Sequence, residues 1–356
     1  MGRRRVPAAV YRRRGEVELA ARELAEPGEG QVLVEVAYCG MCGSDLHLIV
    51  EGWGRPGDVL GHEWSGVVVE TGPGVEVFAT GQPVLAGDSP RCGACAACRA
   101  ERPSQCEATE AMTGEFDGAF ATHVLCQVER LRAVPDGLDL RTAALAEPLA
   151  VALHALTRAE LAPESRVLVS GAGPIGALVA AVALHRGHEV HVVEPAPTRR
   201  QLAAQLGAVV VSPEHLACFD MTQVDTQAEV AFDSVIETSG RRSAMEAGHQ
   251  QLRRGGRLVL VGTGMERPSF DPNRTIVMEL TICGAFVYDV DGFDRAIELL
   301  AGGHLPTDVL IDEAEYDLAG VAEAARRLAA GEHAGKVMIV PGRTSDRNER
   351  AHRSEP

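Results

Sequence analysis

At 356 residues, with 46% hydrophobic side chains and 38 glycines, the chain is long enough for two globular domains rich in turns. A formal net charge of −16 argues against a nucleic-acid or anionic-membrane partner, since both require a basic face. No apolar run is long enough to span a bilayer, and the arginine-rich start (Arg3 to Arg5, Arg12 to Arg14) is not followed by the apolar core of a secretory leader, so a cytoplasmic location is expected. Lys336 is the only lysine, and we read its isolation as compositional bias.

In chain order, residues 6–40 read as short strands, the clearest being 31–38, where valines alternate with other residues at a period of two. Residues 63–71 and 120–128 read as further strands. Between them, Cys92, Cys95, Cys98 and Cys106 follow the spacing C-x2-C-x2-C-x7-C within a lobe, residues 91–107, that is poor in large apolar side chains. Four thiols at these gaps can converge on one tetrahedral zinc, which would supply the order that burial cannot. Disulfides are the competing reading, disfavoured in a chain without a leader.

Near residue 141 the texture changes. Residues 141–159 read as one helix rich in Ala and Leu. From Arg166 strands and helices alternate: strands at 166–170, 189–194, 208–211, 230–237, 257–262 and 281–286, helices at 174–186, 198–206 and 244–252. This rhythm predicts a doubly wound parallel sheet of the α/β class. Helices at 293–301 and 318–330 and a strand at 336–340 follow, and 343–356 reads as a disordered tail.

Gly171, Gly173 and Gly176, with Pro174 and Ile175 between, form G-x-G-x-x-G between an apolar strand and a helix, the context a dinucleotide site needs. Glu194 ends the next strand, eighteen residues past Gly176, where a carboxylate would bond ribose hydroxyls and repel a 2′-phosphate. NAD is therefore expected, with NADP the alternative because Arg199 and Arg200 lie near enough to hold a 2′-phosphate.

Cys42, His62, Glu63 and Glu147 have no metal spacing in sequence. Taken singly, Cys42 could be a small buried hydrophobe, His62 a core histidine and Glu147 a helix N-terminal charge ahead of Pro148. The order of CGSDLH, GHEWSGVVVETGPGV, the four-cysteine lobe and GAGPIG, however, resembles zinc-dependent medium-chain alcohol dehydrogenases over about residues 7–341, and the Glu147-Pro148 pair resembles their polyol, threonine and butanediol branch.

That resemblance implies a GroES-like β-rich catalytic domain over residues 1–150, a Rossmann domain over 151–286, and a return segment over 287–342 that completes the first. It implies two zinc ions per chain: a structural one in the lobe and a catalytic one held by Cys42, His62 and Glu63, with Glu147 as a further ligand or a hydrogen-bonding neighbour. Ser44 would bond the substrate oxygen, and His47 would end a proton relay; Asp45 is expected to order the loop. The implied reaction is hydride transfer between a secondary alcohol, diol or polyol, or its ketone, and NAD(P). The alternatives are an NADPH-dependent aldehyde or ketone reductase, or a non-catalytic zinc-containing binding or regulatory relative. The pocket is expected around Trp53, residues 116–120 and the stretch after the last Rossmann strand, where Val287 replaces an arginine usual in sorbitol- and threonine-type relatives and Tyr288 offers a polar contact. A homodimer or homotetramer is expected.

Overall fold

The computed structural model describes residues 3–87, 92–108, 118–216, 231–288 and 292–343. The chain opens with an antiparallel pair, β1 (Arg3–Arg13) and β2 (Glu16–Ala25). The strands β3 (Gln31–Gly40), β4 (Glu63–Thr71), β5 (Pro83–Ala86), β6 (His123–Gln127) and β7 (Leu131–Ala133) then build one sheet. Short helices interrupt it: α1 (Gly43–Leu46), which runs on into a π-helical turn at His47–Glu51, and α2 (Ala96–Arg99) in the cysteine lobe.

Next come α3 (Leu140–Ala143) and α4 (Ala146–Ala159). The single helix expected over 141–159 is thus two. Pro148 has no N–H to give the Ala144 carbonyl, so a continuous helix would lose a bond and gain a clash there; in the first turn of a new helix the missing donor costs nothing.

The parallel sheet follows: β8 (Arg166–Ser170), α5 (Pro174–His185), β9 (Glu189–Val193), α6 (Pro197–Gln205), β10 (Val209–Val211), β11 (Phe232–Glu237), α7 (Arg242–Gln250), β12 (Leu252–Leu260), α8 (Pro272–Val277) and β13 (Thr281–Gly284). Its strand order, β10-β9-β8-β11-β12-β13, reverses direction between β8 and β11, the doubly wound order of a Rossmann sheet. Val167, Val169, Val190 and Val192 point one way into a core with α4 and α5; Leu168, Val193, Val235 and Leu258 point into a second core on the opposite face. Residue 230, part of a predicted strand, lies outside the described residues, as do Phe116 and 344–356 of the expected tail.

After α9 (Gly292–Ala301) and α10 (Thr307–Leu310), the chain returns to the first sheet. There β14 (Ile311–Tyr316) and, beyond α11 (Val321–Ala329), β15 (Lys336–Ile339) extend it to β14-β15-β3-β4-β5-β7, with β6 pairing β3. Val321, Ala325, Val337 and Ile339 share one core with Val34, Val68 and Phe120, so residues nearly three hundred positions apart close the same interior. Among the described residues no helix is long and apolar enough to cross a membrane.

Candidate metal centres and dinucleotide site

Sheet register assembles the first centre. Gly40, at the end of β3, faces Glu63, at the start of β4, and also pairs with Met338 of β15. Cys42 lies two residues past β3 as the residue capping α1, and His62 precedes Glu63, so two neighbouring strand ends deliver the three side chains to one point. One donor atom each from Cys42, His62 and Glu63 lies within 4.8 Å of the others. A thiolate, an imidazole and a carboxylate at that separation fit a tetrahedral zinc with one position open.

Charge at this point is dense. Glu63 is fully buried, and Lys336 Nζ lies 2.7 Å from its Oε1 and 2.6 Å from its Oε2 while also donating to the Met41 carbonyl. Burial works against a charged Lys336, but Glu63 and the Cys42 thiolate outweigh it and raise the ammonium pKa. Burial likewise works against a charged His62, and the Cys42 thiolate beside it more than compensates, carrying its pKa well above the imidazole range. Glu147, on the first turn of α4 and 5% exposed, is pushed up to about 7 by burial, with His62, Glu63, Lys336 and Asp45 all acting on it. Glu147 thus adjoins the three-residue set without being one of its three clustered donors.

Lys336 is the residue that sequence reasoning missed. Its isolation reflects more than composition: it is 1% exposed and neutralises a carboxylate of the centre. The readable signal was a lone lysine opening an apolar strand, where an unpaired charge would be intolerable.

Asp45 is buried and accepts from the Cys42 N–H at 2.9 Å, fixing the turn as expected. Ser44 sits exposed on α1, next to Cys42. His47 reaches across to the parallel sheet: its Nε2 lies 3.1 Å from Thr263 Oγ1 beyond β12, its Nδ1 2.9 Å from Glu51, and its ring stacks on Trp53 at 4.7 Å. The π-helical turn brings Glu51 to the Nδ1 edge of the ring, while Thr263 meets its Nε2 edge. Tyr288, expected to be a polar contact in the pocket, is instead core: it is 1% exposed and stacked on Phe293. Val287 holds a left-handed φ of 49°, a strained conformation for a β-branched residue.

In the lobe, Cys92, Cys95, Cys98 and Cys106 bring their sulfurs within 4.8 Å of one another. Cys92 and Cys98 are 3.9 Å apart, Cys95 and Cys106 4.0 Å. A tetrahedron of zinc–sulfur bonds near 2.3 Å has edges of about 3.8 Å, so the donor set fits the ion. Backbone N–H groups of Glu107 and Cys98 lower the Cys95 thiol to about 6, whereas burial and the neighbouring thiols push Cys98 up to about 11. A zinc ion here would hold all four sulfurs as thiolates.

The glycine turn follows β8. Gly171 adopts φ +95°, and a Cβ on Gly176 would fall 1.9 Å from the Gly171 carbonyl, so both positions require glycine. Gly173 caps α5 and Pro174 opens it, with Ile175 next, presenting the helix N-terminus to a phosphate. Glu194 is 4% exposed; its two oxygens accept from the Ala172 and Ala196 N–H groups at 2.7 and 2.8 Å, aiming the carboxylate at the turn. Arg199 gives Nε to the His333 carbonyl and one terminal nitrogen to that of Leu328, and its other nitrogen approaches Gly173. Arg200 caps the carbonyls of Glu194 and Pro195.

Residues 28–136 match the alcohol dehydrogenase GroES-like domain, and residues 174–302 match the zinc-binding dehydrogenase family. The chain is 37% identical to a 2-dehydro-3-deoxy-L-galactonate 5-dehydrogenase of Pseudoalteromonas atlantica, over 78% of this chain and 82% of that one. It is 30% identical to sorbitol dehydrogenase of Bacillus subtilis over 94% and 97% of the two chains. The structure of L-idonate 5-dehydrogenase from Escherichia coli superposes with a TM-score of 0.84 at 29% identity, covering 95% of this chain and 99% of that one. Ligand clusters, doubly wound sheet and relatives agree: the chain belongs to the zinc-dependent medium-chain alcohol dehydrogenases and is an NAD(P)-dependent zinc oxidoreductase acting on small-molecule alcohols or their ketones.

Proposed function

We propose that this enzyme oxidises a secondary hydroxyl of a polyhydroxylated small molecule, polyol or sugar acid, with NAD as acceptor. The observation that carries the reading is the convergence of Cys42, His62 and Glu63 at the ends of β3 and β4, with His47 already bonded to Thr263 at the carboxyl edge of the parallel sheet, where a Rossmann fold holds its cofactor. Cys42 and His62, with Glu63 or Glu147, would hold a zinc ion that acts as a Lewis acid and lowers the pKa of an alcohol hydroxyl toward neutrality. The residues do the rest. Ser44, exposed beside Cys42, would bond the reacting oxygen, and His47 would pass its proton outward toward Glu51, whose side chain is 45% exposed.

Glu194 supports NAD, because its carboxylate would meet the ribose hydroxyls and repel a 2′-phosphate. Arg199 and Arg200, the residues that could reverse this, are engaged with backbone carbonyls. The relatives' substrates, a dehydrodeoxygalactonate, sorbitol and idonate, share a polyhydroxy chain and differ in charge. A cytoplasmic dimer or tetramer belongs to the same reading.

The test is NADH formation by the zinc-loaded enzyme with sorbitol, galactitol, L-idonate, L-galactonate and 2,3-butanediol. At least one polyhydroxy compound is expected to turn over, with NAD preferred to NADP and that preference reduced in Glu194→Gln. Equal turnover by zinc-stripped protein, or none with any compound, overturns the reading.

A further inference from the structure

The His47 side chain is steered by one directional contact. Its Nε2 lies 3.1 Å from Thr263 Oγ1, and this is the ring's one hydrogen bond among the described residues. Glu51 Oε2 approaches Nδ1 to 2.9 Å, but off the line a hydrogen bond needs, so it attracts the ring without directing it. Trp53 stacks on the ring face at 4.7 Å, with the two planes 11° apart. A stack fixes the plane of an imidazole, yet it is satisfied equally when the ring turns over about its Cβ–Cγ bond and exchanges its nitrogen and carbon edges. A hydrogen bond at one nitrogen is what separates the two orientations.

Both ends of that bond rest on fixed backbone. On the His47 side, the π-helical turn closes through Gly52 at φ 88°, and the Trp53 N–H donates to the His47 carbonyl at 3.2 Å, so indole and imidazole belong to one turn. On the other side, Thr263 lies just past β12, where the Val261 and Gly262 N–H groups both donate to the Glu237 carbonyl, at 2.8 and 3.0 Å. A Cβ on Gly240 would fall 2.0 Å from the Thr263 carbonyl oxygen, so the turn after β12 lies flat on the turn after β11. The Glu237 carboxylate, fully buried, holds that second turn by accepting from the Ser239 and Gly240 N–H groups at 2.8 and 3.2 Å. One arm thus follows β3 of the first sheet and the other β12 of the parallel sheet, 216 positions away. The pairing exists only where the two sheets' domains meet.

We infer that Thr263 is a positioning residue for the reaction: its hydroxyl keeps the Nε2 edge of His47 turned toward the carboxyl edge of the parallel sheet, so that the proton path is assembled by the meeting of the two domains. The inference rests on His47 carrying the reacting proton, as proposed above, and adds what aims it. Thr263 acts through His47 and takes no proton itself. Serine keeps the hydroxyl that matters; valine matches threonine in shape and lacks it.

The experiment compares the full-length, zinc-loaded enzyme with Thr263→Val and Thr263→Ser, first without cofactor and then turning over a panel alcohol with NAD. The chain has two tryptophans, and Trp64 is 6% exposed in the core, so Trp53 reports on His47 through emission that the stacked imidazole quenches. Thr263→Val should brighten the cofactor-free emission and lower kcat about threefold to tenfold, the span of one neutral hydrogen bond, with little change in KM. Thr263→Ser should stay near the wild type in both readings. In a Trp53→Phe background, Thr263→Val should no longer change the emission. Thr275→Val is the control: it cuts another threonine–histidine bond, to His249 at 2.9 Å and away from the first centre, and should leave emission and kcat as they are. Unchanged emission or unchanged kcat in Thr263→Val, a loss that Thr263→Ser shares, or the same changes in Thr275→Val overturns the inference. Failure of the dehydrogenase reading looks different: emission follows the variants as stated, yet the wild type oxidises no alcohol in the panel.

Discussion

The two metal centres are built in opposite ways. The lobe gathers four like ligands from fifteen consecutive residues, at the surface, with little core around them. The first centre gathers unlike ligands from two separate stretches, and a buried lysine from the far end of the chain stands among them. Four thiolates close a zinc shell, leaving the ion nothing to do but hold the chain. Three ligands leave a position free, and the surrounding charges then matter because they set what can bind and lose a proton there. Contiguity serves order; dispersion serves chemistry, because only a folded sheet can place a carboxylate, an imidazole, a thiolate and an ammonium together without local strain.

That contrast can be broken by experiment. The largest effect is expected from Cys42→Ala: loss of one zinc per chain by mass spectrometry and of several kcal/mol of transition-state stabilisation, roughly a thousandfold or more in kcat/KM, with the melting temperature little moved. Activity surviving at that position would remove Cys42 as a ligand.

Lys336→Met comes next. Removing one partner of a buried pair leaves Glu63 uncompensated, at a cost of about 3–5 kcal/mol in chemical unfolding. Adding Glu63→Gln should recover part of that stability but no activity, a coupling that independent sites would not show. Cys98→Ser should act in the reverse sense to Cys42→Ala: one zinc lost, an earlier melt and proteolysis within the lobe, and a smaller fall in kcat for the fraction that stays folded.

The smallest effect concerns His249, which belongs to neither centre. Burial, with Arg274 alongside, lowers its pKa, and Asp271 pulls weakly the other way. The folded state therefore resists protonation while the unfolded chain accepts a proton at an ordinary imidazole pKa. His249 thus subtracts stability as pH falls below about 6.5, and the loss levels off below its folded pKa. His249→Gln should flatten the decline in melting temperature between about pH 7 and pH 5.5.

Legibility in the sequence followed the same division. The strand at Gln31–Gly40 and the strand–turn–helix around Gly171 could be read outright, because period-two alternation and glycine spacing are local signals. The lobe was legible for the same reason. Short strands such as β5, β7 and β14 were not: Ile311–Tyr316 carries three acidic residues in six and is held by its partner β15, with little apolar pattern of its own. Cys42, His62 and Glu63 became readable only through family resemblance, since nothing local distinguishes a ligand from a buried histidine. Thr263, facing His47 across 216 positions, left no trace in sequence, being a product of how two sheets meet.

The burial of Lys336 also sets how this protein meets reagents. Every surface cation in the chain is an arginine or a histidine, and the sole ε-amine lies 1% exposed against Glu63. Acylating dyes, amine-coupling resins and reductive methylation therefore have no side chain to attack on the folded enzyme beyond the chain's own terminus. Incorporation of a second label would report that β15 has parted from β3 and opened the first centre to solvent.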